Sequence, residues 1–293
     1  YGDNYSFYYK RNYWGFRGEN FDPKDVQIIF EGGSTGNERL NPEKFTIVGL
    51  LNEKFKSINK ETKIYNASTD GKAINGYIND FNFWFPKIPN LKPKYVIFYI
   101  GINDTTVSDK HDLDNKTDRY YLNYKISKKK VDQLKDYIKN NSFFIDKFIS
   151  TKNKYFPKDT LAYDLSDKLL YNNFEFIDFQ KALSLHKNLD KKDLDLIKKF
   201  RFKLIKLQNV IVKYKITPIF ISQLKFDGLR DKDLFLANNE LKNFARENKY
   251  FVIPIDEILL MDKYDYYDRF HTTPKGSKKI ADAIFPYLVK FLN

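Results

Sequence analysis

Three residues far apart in the sequence have the types and local settings that serine-dependent acyl transfer needs. Ser34 lies in a glycine-flanked turn, GGSTG, directly after the apolar run at 26–30. A turn of this kind exposes the serine oxygen and directs backbone N–H groups toward the same point. Asp268 stands three residues before His271, and this spacing can let the carboxylate bind one imidazole nitrogen while the other accepts a proton. We therefore take Ser34 as the candidate nucleophile, His271 as its base and Asp268 as the group that orients the base.

Two further residues could stabilise a negatively charged oxygen during such a reaction. Asn103 ends the strongly apolar run at 95–100, where its carboxamide could donate a hydrogen bond to a developing oxyanion. Gly71, in the segment NASTDG, would let a backbone N–H approach the same oxygen closely. Together with the serine, histidine and aspartate, these residues match the set of groups that acyl transfer requires.

Each candidate also has an ordinary structural explanation. Serines in turns usually satisfy backbone groups, the asparagine could be a turn residue, and the glycine could start a helix. The turn at Ser34 lacks both the lysine of GxxxxGK[ST] and the spacing of GxGxxG, which argues against a phosphate-binding loop. The other two histidines, His111 and His186, lie among charged residues, and we expect them to be solvated at the surface. Only the order and placement of all five residues favours catalysis.

The segments that would position these residues predict a parallel sheet. Apolar runs at 26–30, 63–66 and 95–100 do not alternate with polar residues, and each opens a strand-then-helix unit. This pattern is typical of parallel strands covered by helices on both faces. Further strands are predicted at 218–222 and 250–254, with helices at about 43–57, 191–214, 233–248 and 275–291. Because ligands bind outside the carboxyl ends of such strands, the five candidate residues should meet at one rim.

The chain divides into an arm, a domain and an insertion. The first 25 residues are aromatic and polar without a regular period, so we expect an extended arm at 1–25 that lies over the body. Residues 26–293 would form the α/β domain, interrupted at about 105–190. That region is too long for a connection between a strand and a helix and too aromatic for a disordered linker, so it predicts a helical insertion.

Composition narrows the chemistry and the partners. The 293 residues include no cysteine, which excludes disulfides, cysteine-ligated metals and a thiol nucleophile. The net charge is +13, but 43 of the 51 basic residues are lysines spread along the chain, which favours a solvated surface over nucleic-acid binding. No run approaches the roughly 20 apolar residues that span a bilayer. Since the sequence starts at Tyr1 rather than Met, the expectation includes a signal or membrane anchor upstream of it.

Four blocks of the sequence, taken in order, resemble the SGNH hydrolases, also called the GDSL esterase/lipase superfamily. They are the serine block IIFEGGS at 28–34, the glycine block NASTDG at 66–71, the asparagine block GIND at 101–104 and the DxxH block DRFH at 268–271. The resemblance covers about 26–104 and 217–291 but not the region between them. Members with a GDS block have an aspartate before the serine, whereas Gly33 stands there in this chain. GGST forms resemble a bacterial branch linked to membranes and to cell-surface glycans.

The resemblance implies a three-layer α/β/α sandwich of flavodoxin-like type with about five parallel strands. It also implies a serine esterase with Ser34, His271 and Asp268 as catalytic triad, and with the Ser34 N–H, the Gly71 N–H and the Asn103 side chain as oxyanion hole. No metal or cofactor is implied. The expected substrate is an O-acyl ester, first of all an O-acetyl ester on a cell-surface glycan. The expected location is the bacterial periplasm or cell envelope, with the cytoplasm as the alternative.

Two other functions stay open at this point. If an alcohol rather than water takes the acyl group, the same residues make an O-acyltransferase. The chain could also bind glycans or membrane surfaces without catalysis, because a fold alone does not confer activity. The distance between Ser34 Oγ and the nearer His271 nitrogen separates this last function from the two catalytic ones. No nucleic-acid partner is expected, and no oligomeric state is predicted.

Overall fold

The computed structural model describes residues 7–106 and 175–292. Segment 107–174, which holds most of the predicted insertion at 105–190 together with His111, lies outside the described residues. Residues 1–6 of the predicted arm and residue 293 also lie outside them.

The strands of the described chain are all parallel and form one sheet. They are β1 (Ile28–Gly32), β2 (Ile64–Asn66), β3 (Tyr95–Tyr99), β4 (Thr217–Ile221) and β5 (Phe251–Ile253). Their order is β2-β1-β3-β4-β5, so the chain reverses its direction of winding between β1 and β3. This order is that of flavodoxin-like folds, and the prediction of such a sheet is confirmed.

Helices cover both faces of the sheet. Within the described ranges they are α1 (Ser34–Asn37), α2 (Ile47–Ser57), α3 (Ile74–Asn79), α4 (Ile102–Thr106), α5 (Phe179–Leu185), α6 (Lys191–Tyr214), α7 (Lys232–Glu247), α8 (Ile255–Ile258) and α9 (Pro274–Leu292). A π-helical turn at Asp80–Trp84 follows α3, and 3-10 turns lie at Pro23–Asp25, Glu43–Phe45, Phe85–Lys87 and Lys263–Asp265. Among these helices, none combines the length and apolar character that crossing a membrane requires.

Two apolar cores lie on opposite faces of the sheet. Helices α2 and α9 pack together over one core, and α3, α6 and α7 cover the other. Successive strand residues point to opposite faces, so Ile97 and Tyr99 of β3 join the first core while Val96 and Phe98 join the second. Both faces of the strands are therefore buried, which explains their continuous apolar runs and confirms the three-layer architecture.

The arm is packed against the second core. Phe16 is fully buried, and its ring centroid lies 5.0 Å from that of Trp84 and 5.9 Å from that of Phe85. The Arg17 amide donates a hydrogen bond of 2.9 Å to the carbonyl of Asn66, the last residue of β2. The arm thus reaches the carboxyl ends of the strands, where the candidate residues lie.

The helix predicted at 43–57 is two elements rather than one. Thr46 is extended and its hydroxyl accepts a hydrogen bond from the Gly49 amide, so α2 begins only at Ile47. Phe45, which the helical period predicts to be buried, belongs to the preceding 3-10 turn and is 39% exposed. The cap interrupts the period on which the prediction rested.

The prediction that His186 is solvated is wrong. Its side chain is buried, and Nε2 lies 2.9 Å from the carbonyl oxygen of Leu229. The imidazole ring also packs against Phe235, with 5.2 Å between the ring centroids. His186 lies at the C-terminal end of α5 and contacts the loop that contains Leu229. This contact explains why the side chain is buried although its neighbours in sequence are charged.

Candidate active site

The candidate residues meet at the carboxyl ends of neighbouring strands. Ser34 follows β1, Gly71 follows β2 and Asn103 follows β3, and the sheet places β1 between the other two. The gap between β1 and β3 is where the strand order reverses, which is the usual ligand-binding position in open α/β sheets. The sheet therefore creates the rim at which these polar groups converge.

Ser34 is the first residue of the single-turn helix α1. Gly33 precedes it as the extended N-cap residue, and the helix ends at Glu38, which adopts the left-handed conformation with φ of 47°. The first amides of a helix have no acceptor within it, so the Ser34 N–H lies at an end where partial positive charge collects. This turn directs both the hydroxyl and an amide of the same residue out of the sheet.

A continuous hydrogen-bonded chain joins Ser34 to His271 and Asp268. Ser34 Oγ lies 2.8 Å from His271 Nε2, and His271 Nδ1 lies 2.6 Å from Asp268 Oδ2. The other carboxylate oxygen, Oδ1, accepts the backbone amides of Phe270 and His271, at 2.7 Å each. The carboxylate thus folds its own turn and orients the imidazole at the same time.

The environment of Asp268 favours its ionised form. Burial acts to raise the pKa of its carboxyl group, whereas the hydrogen bond and the charge of His271 act to lower that pKa. The backbone amides of Phe270 and His271 act in the same direction, and the pKa lies below its ordinary value. A carboxylate at Asp268 keeps a proton on Nδ1 of His271, which leaves Nε2 to accept the proton of Ser34.

Asn103 and Gly71 are held by the same turn. The Lys72 amide bonds to the carbonyl of Thr69 at 3.2 Å, and Gly71 within this turn has a φ of +76°, which side chains other than glycine rarely adopt. The carbonyl of Lys72 in turn accepts a hydrogen bond of 2.8 Å from Asn103 Nδ2. The opposite orientation of the carboxamide would bring two carbonyl oxygens together, so this contact determines which end of the Asn103 side chain carries the donors.

The glycine before Ser34 has a steric reason in this structure. A Cβ atom built on Gly33 would lie 2.1 Å from Asn103 Nδ2 and 3.0 Å from the carbonyl oxygen of Lys72. The carboxamide therefore occupies the space that an aspartate would need at this position. Gly33, the departure from the GDS pattern, is thus coupled to the placement of Asn103.

Glu38 is a supporting residue that the sequence patterns did not reveal. Its buried carboxylate accepts a hydrogen bond of 2.6 Å from the Ile47 amide and is bonded by the hydroxyls of Ser277 and, at 3.4 Å, Thr272. Burial raises its pKa to about 7, although these bonds and the nearby Arg17 favour ionisation. Because Thr272 follows His271, Glu38 connects the serine turn to the loop that carries His271.

The arm supports the site from the opposite side. Arg11 Nη2 donates to the carbonyl of Ser68, at 2.6 Å, and to Oδ1 of Asn37, at 3.2 Å. Arg17 is buried and bonds through Nη1 to the carbonyls of Asn37 and, at 2.7 Å, Glu38. The two arginines thus tie the end of the serine helix to the loop that leads to Gly71. No signal in the sequence marks this role, since the contacts span 20 to 57 residues.

A buried cluster of charged residues lies beneath the glycine turn. Lys72 Nζ donates to Glu31 Oε2, at 3.1 Å, and to Asp80 Oδ2, and all three side chains are buried. One pattern could have indicated it, because Glu31 interrupts an otherwise apolar strand and a charge inside a strand needs a buried partner. Over the residues that the structure describes, there is no group of three acidic or histidine side chains arranged to hold a metal ion.

Comparison with known proteins supports one family. A model described as GDSL-like Lipase/Acylhydrolase matches residues 29–284. The structure is similar to that of TesA, with a TM-score of 0.51, 9% identity, and coverage of 90% of this chain and 98% of that one. It is also similar to the psychrotrophic esterase EstA from Pseudoalteromonas sp., inhibited by monoethylphosphonate, with a TM-score of 0.50, 11% identity, and coverage of 92% and 100%.

At these identities the structural similarity concerns the fold alone. A comparison with curated proteins finds no match. The family model, in contrast, matches residues 29–284, a range that includes the serine turn, the glycine and asparagine loops and the DxxH loop. The chain therefore belongs to the GDSL-like lipase/acylhydrolase family and is an enzyme that hydrolyses esters.

Proposed function

We propose that the enzyme is a serine esterase in which Ser34 is the nucleophile, His271 its general base and Asp268 the residue that orients the base. The observation that carries this proposal is the contact of 2.8 Å between Ser34 Oγ and His271 Nε2, continued by the contact of 2.6 Å to Asp268. Both distances lie within the range that proton transfer requires. A non-catalytic binding protein would have no need of this arrangement.

In the proposed reaction, Ser34 Oγ attacks the ester carbonyl carbon while its proton passes to His271 Nε2. The tetrahedral intermediate collapses when His271 returns this proton to the leaving alcohol, and an acyl-serine is formed. Water, deprotonated by the same nitrogen, then attacks the acyl-serine, and His271 returns the proton to Ser34 Oγ as the bond to the acyl group breaks and the acid leaves. Asp268 stabilises the imidazolium that forms in both steps.

Three donors would stabilise the negatively charged oxygen of the intermediate. They are the Ser34 N–H, the Gly71 N–H and the second Nδ2 proton of Asn103. The first Nδ2 proton is already bound to the carbonyl of Lys72. Each such donor is worth about 3 kcal/mol of activation free energy.

For the substrate, we propose an O-acetyl ester on a cell-surface glycan, which places the enzyme in the bacterial cell envelope. The net charge of +13 supports the approach of an anionic polymer, because a lysine-rich surface raises its local concentration. Measuring free acetate against transferred acetyl, with an acetyl donor and with or without a glycan acceptor, tests this choice. Acetyl found on the acceptor would show that the enzyme is an O-acyltransferase instead.

The catalytic proposal is tested with Ser34→Ala on a short-chain chromogenic ester. We expect turnover to fall by at least about 10³-fold and labelling by a serine-directed fluorophosphonate to disappear. Ser57→Ala is the matched control, because Ser57 is exposed at the end of α2 and its hydroxyl donates to the carbonyl of Lys54 within the same helix. Equal turnover of Ser34→Ala and wild type, or a fluorophosphonate adduct on another peptide, would refute the proposal.

A further inference from the structure

We propose that Lys72 is a positioning residue for the oxyanion hole: its buried side chain holds its own backbone carbonyl in the place where that carbonyl orients the Asn103 carboxamide. This inference rests on the proposed function, since it assigns Asn103 a role in the reaction. It concerns a residue that follows Gly71 directly and that the proposed mechanism does not otherwise use.

The side chain of Lys72 is fully buried and strongly anchored. Its ammonium group donates to Glu31 Oε2 at 3.1 Å, to the carbonyl of Ala67 at 3.0 Å and to Asp80 Oδ2. The ammonium group also lies 5.3 Å from the ring centroid of Trp84. Because each acceptor belongs to a different element, the ammonium group is fixed relative to β1, the end of β2 and the turn after α3.

The cluster brings two buried carboxyl groups to one buried ammonium group. Burial raises the pKa of Glu31 well above its ordinary value, and it also raises that of Asp80. The charge of Lys72 acts in the opposite direction and favours the ionised form of both carboxyl groups. A buried lysine is costly without such partners, and replacing all the charged residues of such a cluster together by apolar residues of similar volume would often be at least as stable. The retained ion cluster is thus better explained by geometry than by stability.

The backbone of Lys72 contacts the asparagine loop directly. Its carbonyl accepts one Nδ2 proton of Asn103 at 2.8 Å, which leaves the second Nδ2 proton free of that bond and available to the substrate oxygen. Two residues later, the Ile74 amide donates to Asp104 Oδ1 at 3.1 Å. The segment 72–74 is therefore joined to the asparagine loop at two points, and a shift of the Lys72 carbonyl would turn the carboxamide.

The position of the cluster relative to the serine supports the same role. Glu31 lies on β1, three residues before Ser34, so the strand that carries the nucleophile also provides an acceptor for Lys72. The ammonium group of Lys72 thus connects the strand that leads to Ser34 with the backbone segment that contacts Asn103. Loss of the Lys72 ammonium group would misalign the Asn103 carboxamide without removing it. A misplacement of about 1 Å can reduce the rate of catalysis by about 100-fold.

A double-mutant cycle between Lys72→Met and Asn103→Ala tests the inference on a chromogenic acetyl ester. We expect Lys72→Met to lower kcat by about 10- to 100-fold with little change in KM, because the lost interaction acts in the transition state. In the Asn103→Ala background the same substitution should lower kcat by less than about threefold, since its effect passes through the carboxamide. A purely structural role would give the same fold-loss in both backgrounds.

Lys242→Met is the matched control. Lys242 is a second buried lysine, and it donates to Asp256 at 2.7 Å and to Glu257 at 2.6 Å. Both acceptors follow β5, the strand at the opposite edge of the sheet from β2. Lys242→Met should lower the thermal midpoint of unfolding by an amount similar to that of Lys72→Met, but it should leave kcat within about twofold of wild type. If Lys242→Met and Lys72→Met lose the same kcat, the loss reflects general destabilisation and the inference is wrong.

A gentler variant decides the question if Lys72→Met does not fold. Asp80→Asn removes one charge from the cluster but keeps an oxygen for Lys72, and it should lower kcat in the wild-type background and not in the Asn103→Ala background. Multiplicative losses for this pair would overturn the inference. Active Ser34→Ala would instead overturn the proposed function, so the two failures can be told apart.

Discussion

Placing an aspartate at position 33 would recreate the GDS pattern of related enzymes, and in this chain we expect it to reduce activity strongly. The reason is the position of Asn103. A Cβ atom on Gly33 would lie 2.1 Å from Asn103 Nδ2, whereas real Cβ atoms essentially never approach another atom closer than 3.0 Å. The carboxamide would have to retreat by about 0.9 Å or rotate away, since the carbonyl of Lys72 is backbone and already lies 3.0 Å from the same Cβ.

The expected magnitude follows from what this movement removes. A retreat of this size breaks the contact of 2.8 Å between Asn103 Nδ2 and the Lys72 carbonyl and moves the second Nδ2 proton out of line with the oxyanion. Loss of one oxyanion donor reduces kcat by about 10²- to 10³-fold, or about 3 to 4 kcal/mol. Gly33→Ala isolates the steric part, and Gly33→Asp adds a buried charge to it.

The assay is kcat and KM on a short-chain chromogenic ester for both variants, with melting temperature as the check on folding. KM should change little, and the loss should almost vanish when Gly33→Ala is made in an Asn103→Ala background. If Gly33→Ala retains more than half of the wild-type kcat while remaining folded, the reasoning about Asn103 is refuted.

Three further outcomes are expected. Asp268→Asn keeps an oxygen for the amides of Phe270 and His271 but turns an N–H toward Nδ1 of His271. We therefore expect kcat to fall by about 10³-fold with little change in melting temperature. A loss of kcat under tenfold would contradict the orienting role of Asp268. Glu38 has a pKa of about 7 in the folded chain against 4.5 otherwise, so it keeps a proton that the unfolded chain gives up. Its contribution to stability is therefore present below pH 4.5 and lost as pH rises through 7. Between pH 4.5 and pH 7, the free energy of unfolding in urea should fall by about 3 kcal/mol more for wild type than for Glu38→Gln. If the free energies of unfolding of the two proteins change with pH in the same way, the raised pKa of Glu38 is disproved. Phe16→Ala should lower the free energy of unfolding in urea by about 3 to 5 kcal/mol, because the ring is fully buried against Trp84; a change below 1 kcal/mol would mean that the arm is not part of the cooperative unit.

The sheet could be predicted because its signals are local. The strand predicted at 95–100 is observed at Tyr95–Tyr99, and the helix predicted at 191–214 is Lys191–Tyr214. Strands buried on both faces read as apolar runs, and a long amphipathic helix keeps its period. Where a side chain competed with the period, as the Thr46 hydroxyl does at the start of α2, the prediction at 43–57 merged two elements.

The site could be predicted in part for the same reason. Ser34, Gly71 and Asn103 follow strands and carry their signal within a few residues, and the DxxH spacing is local as well. Lys72 and its partner Glu31 are 41 residues apart, and the contacts of Glu38 with Thr272 span 234 residues, so their pairing depends on the finished fold. The charged neighbours of His186 in sequence predict a surface position, and this prediction is wrong because its partner Leu229 is 43 residues away.

The segment 37–41, which follows the serine turn, is held by residues from both the N-terminal and the C-terminal part of the sequence. This determines when its hydrogen bonds can form during synthesis of the chain. Arg17 holds the carbonyls of residues 37, 38 and 41, while Asn41 Nδ2 donates to Thr272 and to Ser277, 236 residues further on. A nascent chain that has been synthesised past β5 but not as far as Thr272 contains all five strands and the three bonds from Arg17, but it lacks the two bonds from Asn41. Synthesis up to residue 277 is therefore needed before the turn that carries Ser34 has all five of these bonds, and His271, the base that we propose, joins the chain only shortly before that point.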